Sequence, residues 1–422
     1  MKIKTKYLPY DKVLKLKSPK HKKPKKPWFI MQLLVNILSR FDLLKTRFSY
    51  TLKDGIKIGK EPYLILMNHS SFIDLKIASR ILFPKPYSII CTTDGLVGKK
   101  WLMEKIGCIP TQKFVRDVSL INDMNYILNH NKVSVLMYPE AGYSFDGTST
   151  ALPENLSRLI KFLNVSVLMI KTDGAFLHDP LYNSLQLRNV KVSAEVSLIA
   201  SKEQIKNMSN NELDDAIKNA FTFDAFKSQK ENNIVVDEDF RADGLDKILY
   251  KCPACKCENK MLGKGVTLSC KNCGTIYNFT TLGELEKVGG ETEFSHIPDY
   301  YDWERECVKE ELLNGSYSLE TQVNIGVIKN YDALYMIGSG KLIHNENGFI
   351  LTSDDGLLEY KQSPLHSYSL NSDYFWYEIG DMISIGNKNM LYYCFPDKSV
   401  SVTKARLATE ELYKLKQKEI SK

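Results

Sequence analysis

Two sets of residues have the types and spacing for chemistry. The first is Asn68-His69-Ser70-Ser71-Phe72-Ile73-Asp74, which follows an apolar run (YLILMN, 63–68) and opens a helical pattern. Histidine titrates near neutral pH, so it can take a proton from an attacking hydroxyl. A carboxylate five residues on, across a strand-to-helix turn, can hold the other ring nitrogen. That fixes the tautomer and stabilises the imidazolium as it forms. Such a pair is the base and orienter of a displacement in which the substrate supplies its own hydroxyl. The same spacing arises by coincidence in most chains, so its context has to be read with it. The second set is Cys252-Pro253-Ala254-Cys255 and Cys270-Lys271-Asn272-Cys273, separated by 14 residues that include Gly263 and Gly265. Two CxxC knuckles on a hairpin-length spacer predict a tetrahedral thiolate site, and the short spacer favours zinc over iron. Four thiolates close the shell, so the metal would be structural and would fold a unit too small for its own core. Cys257 reads as a spare thiol. His21, His130, His178, His296, His344 and His366 have no metal spacing and read as surface or packing residues.

The elements that must position His69 alternate between strand and helix. Strand runs are YLILMN (63–68), YSIICTT (87–93), VSVLMYP (133–139), VSVLMIK (165–171) and VSAEVSLI (192–199). Helical patterns fall at 72–82, 98–106, 117–129 and 153–163. Short apolar runs separated by helices predict an α/β sheet with buried strands. Residues 202–230 are polar and helix-prone, and read as a terminal helix running into a linker. A helix is predicted over 297–313. From 316 to about 402 the chain turns β-rich, with turn signals at Asn347-Gly348, Asp354-Asp355-Gly356 and Gly386-Asn387. A last helix follows over 402–418. About seven short strands and a closing helix give the element order of pleckstrin-homology-like domains. Tyr374-Phe375-Trp376-Tyr377 reads as core of that unit, with a lipid or partner contact as the alternative.

At 422 residues, with 43% apolar and 25% charged positions, the chain is a globular protein of two or three domains. No apolar run reaches the ~18 residues of a membrane-spanning helix. The net charge of +7 is unevenly placed: residues 1–26 hold eleven lysines and one acid, Asp11, or +10, leaving about −3 for the rest. A lysine arm seeks anionic lipid headgroups or nucleic acid, or is simply a solvated tail. Next to it, residues 28–44 read as a helix whose polar stripe is Gln32, Asn36 and Arg40. Thirteen uncharged residues (27–39) span ~20 Å as a helix, which suits a helix lying in one leaflet. The alternative is a helix packed on the core. No small-residue cleavage site follows this run, and nine cysteines with one cluster fit a reducing compartment, so the expected location is the cytoplasmic face of a membrane, peripheral or monotopic.

The NHxxxxD arrangement on a strand-turn-helix resembles block one of the glycerolipid (lysophospholipid) acyltransferase family, which includes 1-acylglycerol-3-phosphate acyltransferases. Block two of that family is matched by Gly107-Cys108-Ile109-Pro110-Thr111-Gln112-Lys113-Phe114-Val115-Arg116. Block three, usually Pro-Glu-Gly-Thr-Arg-Ser, stands here as Pro139-Glu140-Ala141-Gly142-Tyr143-Ser144. Block four is a strand, Val165 to Lys171, without the family's proline. The resemblance covers about residues 28–225. It implies a helix-flanked α/β sheet, His69 as general base and Asp74 as its orienter. It also implies substrate contacts from Asn68, Lys113, Phe114, Arg116, Glu140, Gly142 and Tyr143. The donor implied is acyl-CoA or acyl carrier protein, and transfer needs neither metal nor a covalent enzyme intermediate. Tyr143 replaces an arginine, and one hydroxyl cannot supply a bidentate fork for phosphate. The acceptor is therefore a lysophospholipid or related lipid rather than lysophosphatidate in particular.

The organisation expected is a basic arm (1–27), an acyltransferase domain with a membrane-associating helix (28–225), a linker (226–248), a zinc ribbon (249–288), a connecting helix (289–315) and a β-barrel-like domain with a C-terminal helix (316–422). A competing class is a degenerate enzyme whose ribbon and arm bind nucleic acid or a protein partner. Another is a hydrolase using the same base on water. The intact His69/Asp74 pair argues against degeneracy.

Overall fold

The computed structural model describes residues 2–115, 117–397 and 400–420. The lysine-rich segment is not a free tail. Its strand β1 (Thr5–Tyr7) pairs in parallel with Leu334–Met336, far along the chain. Tyr10 and Val13 of the short helix Tyr10–Leu14 are buried, and Tyr10 Oη meets Tyr392 Oη at 2.8 Å. His21 Nε2 reaches Asp123 Oδ2 at 3.0 Å. The apolar residues between the lysines give the arm a side that packs, which charge counting alone misses.

The central sheet takes its strands from β2 (Ser49–Leu52), β3 (Leu64–Met67), β4 (Tyr87–Thr92), β5 (Cys108–Thr111), β6 (Ser134–Met137), β7 (Val167–Asp173) and β8 (Ser193–Ala200), in the order β2-β8-β7-β3-β6-β4-β5. All neighbours are parallel except β7 and β8. β3 lies inside, with Leu64 opposite both Val135 and Val167, and all four of its residues are buried. One face packs on the helices Val118–Asn125, Leu156–Leu163 and Asn210–Phe221; the other packs on Asp74–Leu82. Burial on both faces is why β3, β6 and β7 are apolar without alternation, whereas β8 alternates. β2 and β5 are the two strands not expected from the pattern; β5 carries Pro110 at the sheet edge, where a missing N–H is tolerated.

The helix Phe29–Lys45 is turned inside out relative to a soluble helix. Gln32, Asn36 and Ser39 are its buried polar residues; Gln32 Nε2 donates to Tyr87 O at 2.7 Å and Asn36 Nδ2 to Ser79 O at 3.0 Å. Phe29, Ile30, Leu34, Ile37, Leu38, Phe41 and Leu44 point outward, Ile30 and Leu44 each over 70% exposed. No described helix is long and apolar enough to cross a membrane.

Residues 202–248 differ from the expected helix and linker. Three helices, Lys202–Asn207, Asn210–Phe221 and Ala225–Glu231, occupy the first part, two of them opened by capping boxes at Ser201 and Ser209. Phe226, Val236, Ala242, Leu245 and Ile248 are buried, so 226–248 is packed structure. The cysteine unit is a four-stranded antiparallel sheet, β9 (Met261–Lys264), β10 (Thr267–Cys270), β11 (Ile276–Phe279) and β12 (Leu285–Lys287). The helix Ile297–Leu313 follows. Seven antiparallel strands come next: β13 (Leu319–Val327), β14 (Leu334–Asn345), β15 (Gly348–Ser353), β16 (Glu359–Gln362), β17 (Asn371–Trp376), β18 (Gly380–Asn387) and β19 (Met390–Pro396). Their order is β16-β15-β14-β13-β19-β18-β17, and the helix Val402–Ile420 ends the described chain. Tyr374 and Trp376 are core, while Phe375 is exposed. One hydrophobic cluster runs from Tyr10 and Phe145 through the cysteine unit to these strands, so the segments share a core.

Candidate active site

β3 ends at Met67, and the chain then turns into the helix Asp74–Leu82. Asn68 is wholly buried, and its side chain is spent within the protein. Its Oδ1 accepts from Thr172 N at 2.8 Å and its Nδ2 donates to Ser70 Oγ at 3.2 Å. It ties the end of β3 to β7. The turn brings His69 Nδ1 to 3.2 Å from Asp74 Oδ2. That oxygen also accepts the backbone N–H groups of Ser70 (2.8 Å) and Ser71 (3.0 Å), so the carboxylate is fixed by three donors. Asp74 is fully buried at the first position of its helix, where the helix dipole favours an anion. No described group bonds His69 Nε2, the ring nitrogen left for a substrate. Burial lowers the His69 pKa, and the Asp74 carboxylate opposes this only in part. The imidazole is therefore neutral, and a base, at pH 7.

Glu140 is buried too. Its Oε2 accepts His69 N at 2.8 Å; its Oε1 accepts Thr150 N at 2.8 Å and Thr150 Oγ1 at 3.1 Å. Burial pushes its pKa up to about 7 against these bonds. It clamps the His69 loop to the 139–150 loop. Ser144 N closes the clamp by donating to His69 O at 3.2 Å. The imidazole lies between two aromatic rings, Tyr138 at 4.2 Å and Tyr143 at 4.1 Å between centroids, with Phe72 beyond Tyr143 at 5.5 Å. Tyr143 thus covers the base, which is only 15% exposed. Gly142 is buried with open space where a side chain would begin, so any side chain there would enter the space beside that cover.

Lys113 lies close enough to His69 and to Asp373 to oppose protonation of the one and lower the pKa of the other. Phe114, at a positive φ of 58°, meets Tyr368 edge-on at 5.4 Å between centroids rather than facing open solvent. Arg116 lies outside the described residues. Several neighbours gave no sequence signal. Asp179 hydrogen-bonds Ser71 Oγ, and burial raises its pKa to about 7. Burial likewise raises Asp373, from β17, to about 7. Arg406, from the last helix, donates to Tyr143 O at 3.1 Å and pairs with Glu410 at 3.2 Å. These groups come from elements 100 to 340 positions away in sequence, so no local spacing announces them.

Far from His69 in the chain, the Sγ atoms of Cys252, Cys255, Cys270 and Cys273 lie within 4.8 Å of one another. The pairs Cys252–Cys273 and Cys255–Cys270 are 3.8 Å apart. Four sulfurs ~2.3 Å from one zinc stand about 3.8 Å apart at the edges of a tetrahedron. The cradle therefore fits zinc, and Asn272 Nδ2 adds a donor 3.5 Å from Cys255 Sγ. Cys257 Sγ donates to Glu258 O and is not one of the four clustered sulfurs.

Residues 46–176 match the family model described as Acyltransferase. Among solved structures the chain is similar to the 1-acyl-sn-glycerophosphate (LPA) acyltransferase PlsC from Thermotoga maritima. The identity is 15%, the match covers 45% of this chain and 76% of that one, and the TM-score is 0.36. No curated protein matches. The family match is what assigns an acyltransferase domain to this chain.

Proposed function

We propose, for a chain that carries an acyltransferase-family domain over 46–176, that it transfers a fatty acyl group from a thioester to a hydroxyl of a lysophospholipid or related lipid at a membrane surface. The observation that carries this is the neutral, Asp74-oriented His69 with its Nε2 left for substrate. Nε2 takes the acceptor's proton as its oxygen attacks the thioester carbonyl. The C–O bond forms, the C–S bond breaks, and the proton passes to the departing thiolate. Asp74 holds the imidazolium in the interval. The rings of Tyr138 and Tyr143 keep bulk water from the base, which favours transfer over hydrolysis. Tyr143, with no guanidinium fork, leaves Lys113 as the described cation for an acceptor's charge. Acyl-CoA and acyl carrier protein both fit as donors. The test offers a labelled acyl thioester to purified protein with a panel of lysolipids and other hydroxyl acceptors. Acyl product that depends on an acceptor supports the reading; thioester loss regardless of acceptor rejects it in favour of a hydrolase.

Because burial lowers the His69 pKa, kcat/KM is expected to rise with pH along a limb whose midpoint lies below 6.5, the ordinary value for histidine. A pH profile whose limb lies above 6.5 contradicts this assignment of the base.

Membrane association is carried by the helix Phe29–Lys45, whose polar side is inward and whose apolar side is exposed. Ile30→Asp with Leu38→Asp is expected to lower vesicle co-sedimentation at least about tenfold while leaving the melting temperature within a few degrees. Unchanged co-sedimentation counts against this surface as the anchor.

A further inference from the structure

A second site stands apart from His69. A cleft of about 490 Å³ is lined by Lys4, Lys6, Pro19, Gly98, Lys100, Asn330, Tyr331 and Asp332. We propose that this cleft binds an anion bearing several phosphate groups, such as a polyphosphorylated lipid headgroup or a free polyphosphate.

Three separate segments build it, and each is tied in place. Lys4 and Lys6 sit two apart at β1, so their side chains leave the same face of the strand. β1 is held by its parallel pairing to β14 and by Leu334 N donating to Lys4 O at 2.9 Å. The turn at Gly98 is bonded to the loop between β13 and β14 by Gly98 N donating to Tyr331 O at 2.8 Å. Gly98 has φ +73°, and no atom lies within 4 Å of where a side chain would begin. Lys100 Nζ lies 4.6 Å from the centre of the Tyr331 ring, which steers the ammonium to the cleft wall.

Its donors are available. Lys4 and Lys6 make no ion pair with any described residue, whereas Lys100 has only a partly exposed partner, Glu104, at 3.6 Å. Asn330 Oδ1 is taken by Asp332 N and Tyr335 Oη, which leaves its Nδ2 as a free donor. Three lysines line the cleft with one carboxylate, Asp332; a second, Glu104, stands outside the lining and pairs with Lys100. Ammonium groups spread around an opening of this size suit several phosphates at once, since lysine binds phosphate as a point charge and needs no fixed fork. The volume is within the roughly 300–1,000 Å³ of small-molecule sites.

The test uses the full chain and does not read acyl transfer, so its failure is distinct from failure of the enzymatic reading. Inositol 1,4,5-trisphosphate and inorganic pyrophosphate are titrated calorimetrically. In parallel, phosphatidylcholine vesicles are compared with and without phosphatidylinositol 4,5-bisphosphate. Wild type is expected to bind a soluble probe, or to gain vesicle binding from the bisphosphate. Lys4→Glu with Lys6→Glu should raise Kd at least about tenfold, and Lys100→Gln severalfold. Lys22→Glu with Lys25→Glu makes the same charge change on the exposed arm outside the cleft, and should leave the soluble-probe Kd within about twofold. Binding of the soluble probes points to a free polyphosphate; a gain confined to bisphosphate vesicles points to a lipid headgroup. No binding in either arm, or equal loss in the Lys22/Lys25 variant, overturns the proposal.

Discussion

Replacing His69 by alanine is expected to lower kcat by about 10²–10⁴-fold, with the fold intact. The side chain bonds only Asp74, and the two backbone bonds of His69, to Glu140 and from Ser144, survive truncation. The melting temperature should therefore move little while acyl product disappears. Asp74→Asn tests the orienter separately. All three donors converge on Oδ2, so a carboxamide with its oxygen there still accepts from Ser70, Ser71 and His69 Nδ1, and its NH₂ takes the place of Oδ1. What is lost is the negative charge that stabilises the imidazolium as it forms. Asp74→Asn should therefore lower kcat while keeping the loop's geometry. Full activity in His69→Ala removes the mechanism, and full activity in Asp74→Asn removes the orienter.

The second large effect concerns the thiolate cluster. Stripping zinc by chelation, or making Cys270→Ser, is expected to unfold residues 249–288, because zinc binding in such units is itself folding free energy, about 10–16 kcal/mol in isolated peptides. The loss should not stay local. Lys251 N donates to Glu304 at 2.8 Å, Tyr300 Oη donates to Lys251 O at 2.7 Å, and Lys404 pairs with Glu258 at 2.7 Å. These contacts join the cysteine unit to the helices Ile297–Leu313 and Val402–Ile420, and the second of these holds the Tyr143 loop through Arg406. Metal analysis should give one zinc per chain, and chelation should lower both the melting temperature and acyl transfer. A protein stripped of zinc that melts and turns over as before excludes a structural metal.

What is legible in the sequence is what depends on near neighbours. The five apolar strand runs and the His69-to-Asp74 turn are local patterns, and the structure builds them where the periodicity indicates. The CxxC pair is legible because metal geometry leaves little choice of spacing. The arm misleads because eleven lysines hide Tyr10 and Val13, the residues that pack. The segment read as a linker misleads because Val236, Ala242, Leu245 and Ile248 are buried with no long helix or strand to mark them, only a short helical turn at Leu245–Lys247. In the helix Phe29–Lys45 the polar stripe is visible, but nothing local says that Gln32 and Asn36 face inward while Arg40 stays exposed. Resemblance places Asn68 and Glu140 at the substrate. Their burial and internal bonds, which no local pattern announces, also make them braces of the loops beneath His69. Tyr143 announces itself as a departure, yet only three dimensions reveal it as a lid on the imidazole.

The bond from Arg406 to Tyr143 also sets a clock. A ribosome adds about 5–20 residues per second, so the 263 positions between these partners take on the order of 13–50 s to synthesise. β1 waits longer still, since its partner Leu334 comes 329 positions after Thr5. Early in synthesis the lysine arm and the outward apolar helix are therefore present without the sheet that later captures one of them. The exposed apolar face of Phe29–Lys45 is made before the sheet that carries His69, so under the proposed function its contact with a bilayer can begin while the chain is still being synthesised.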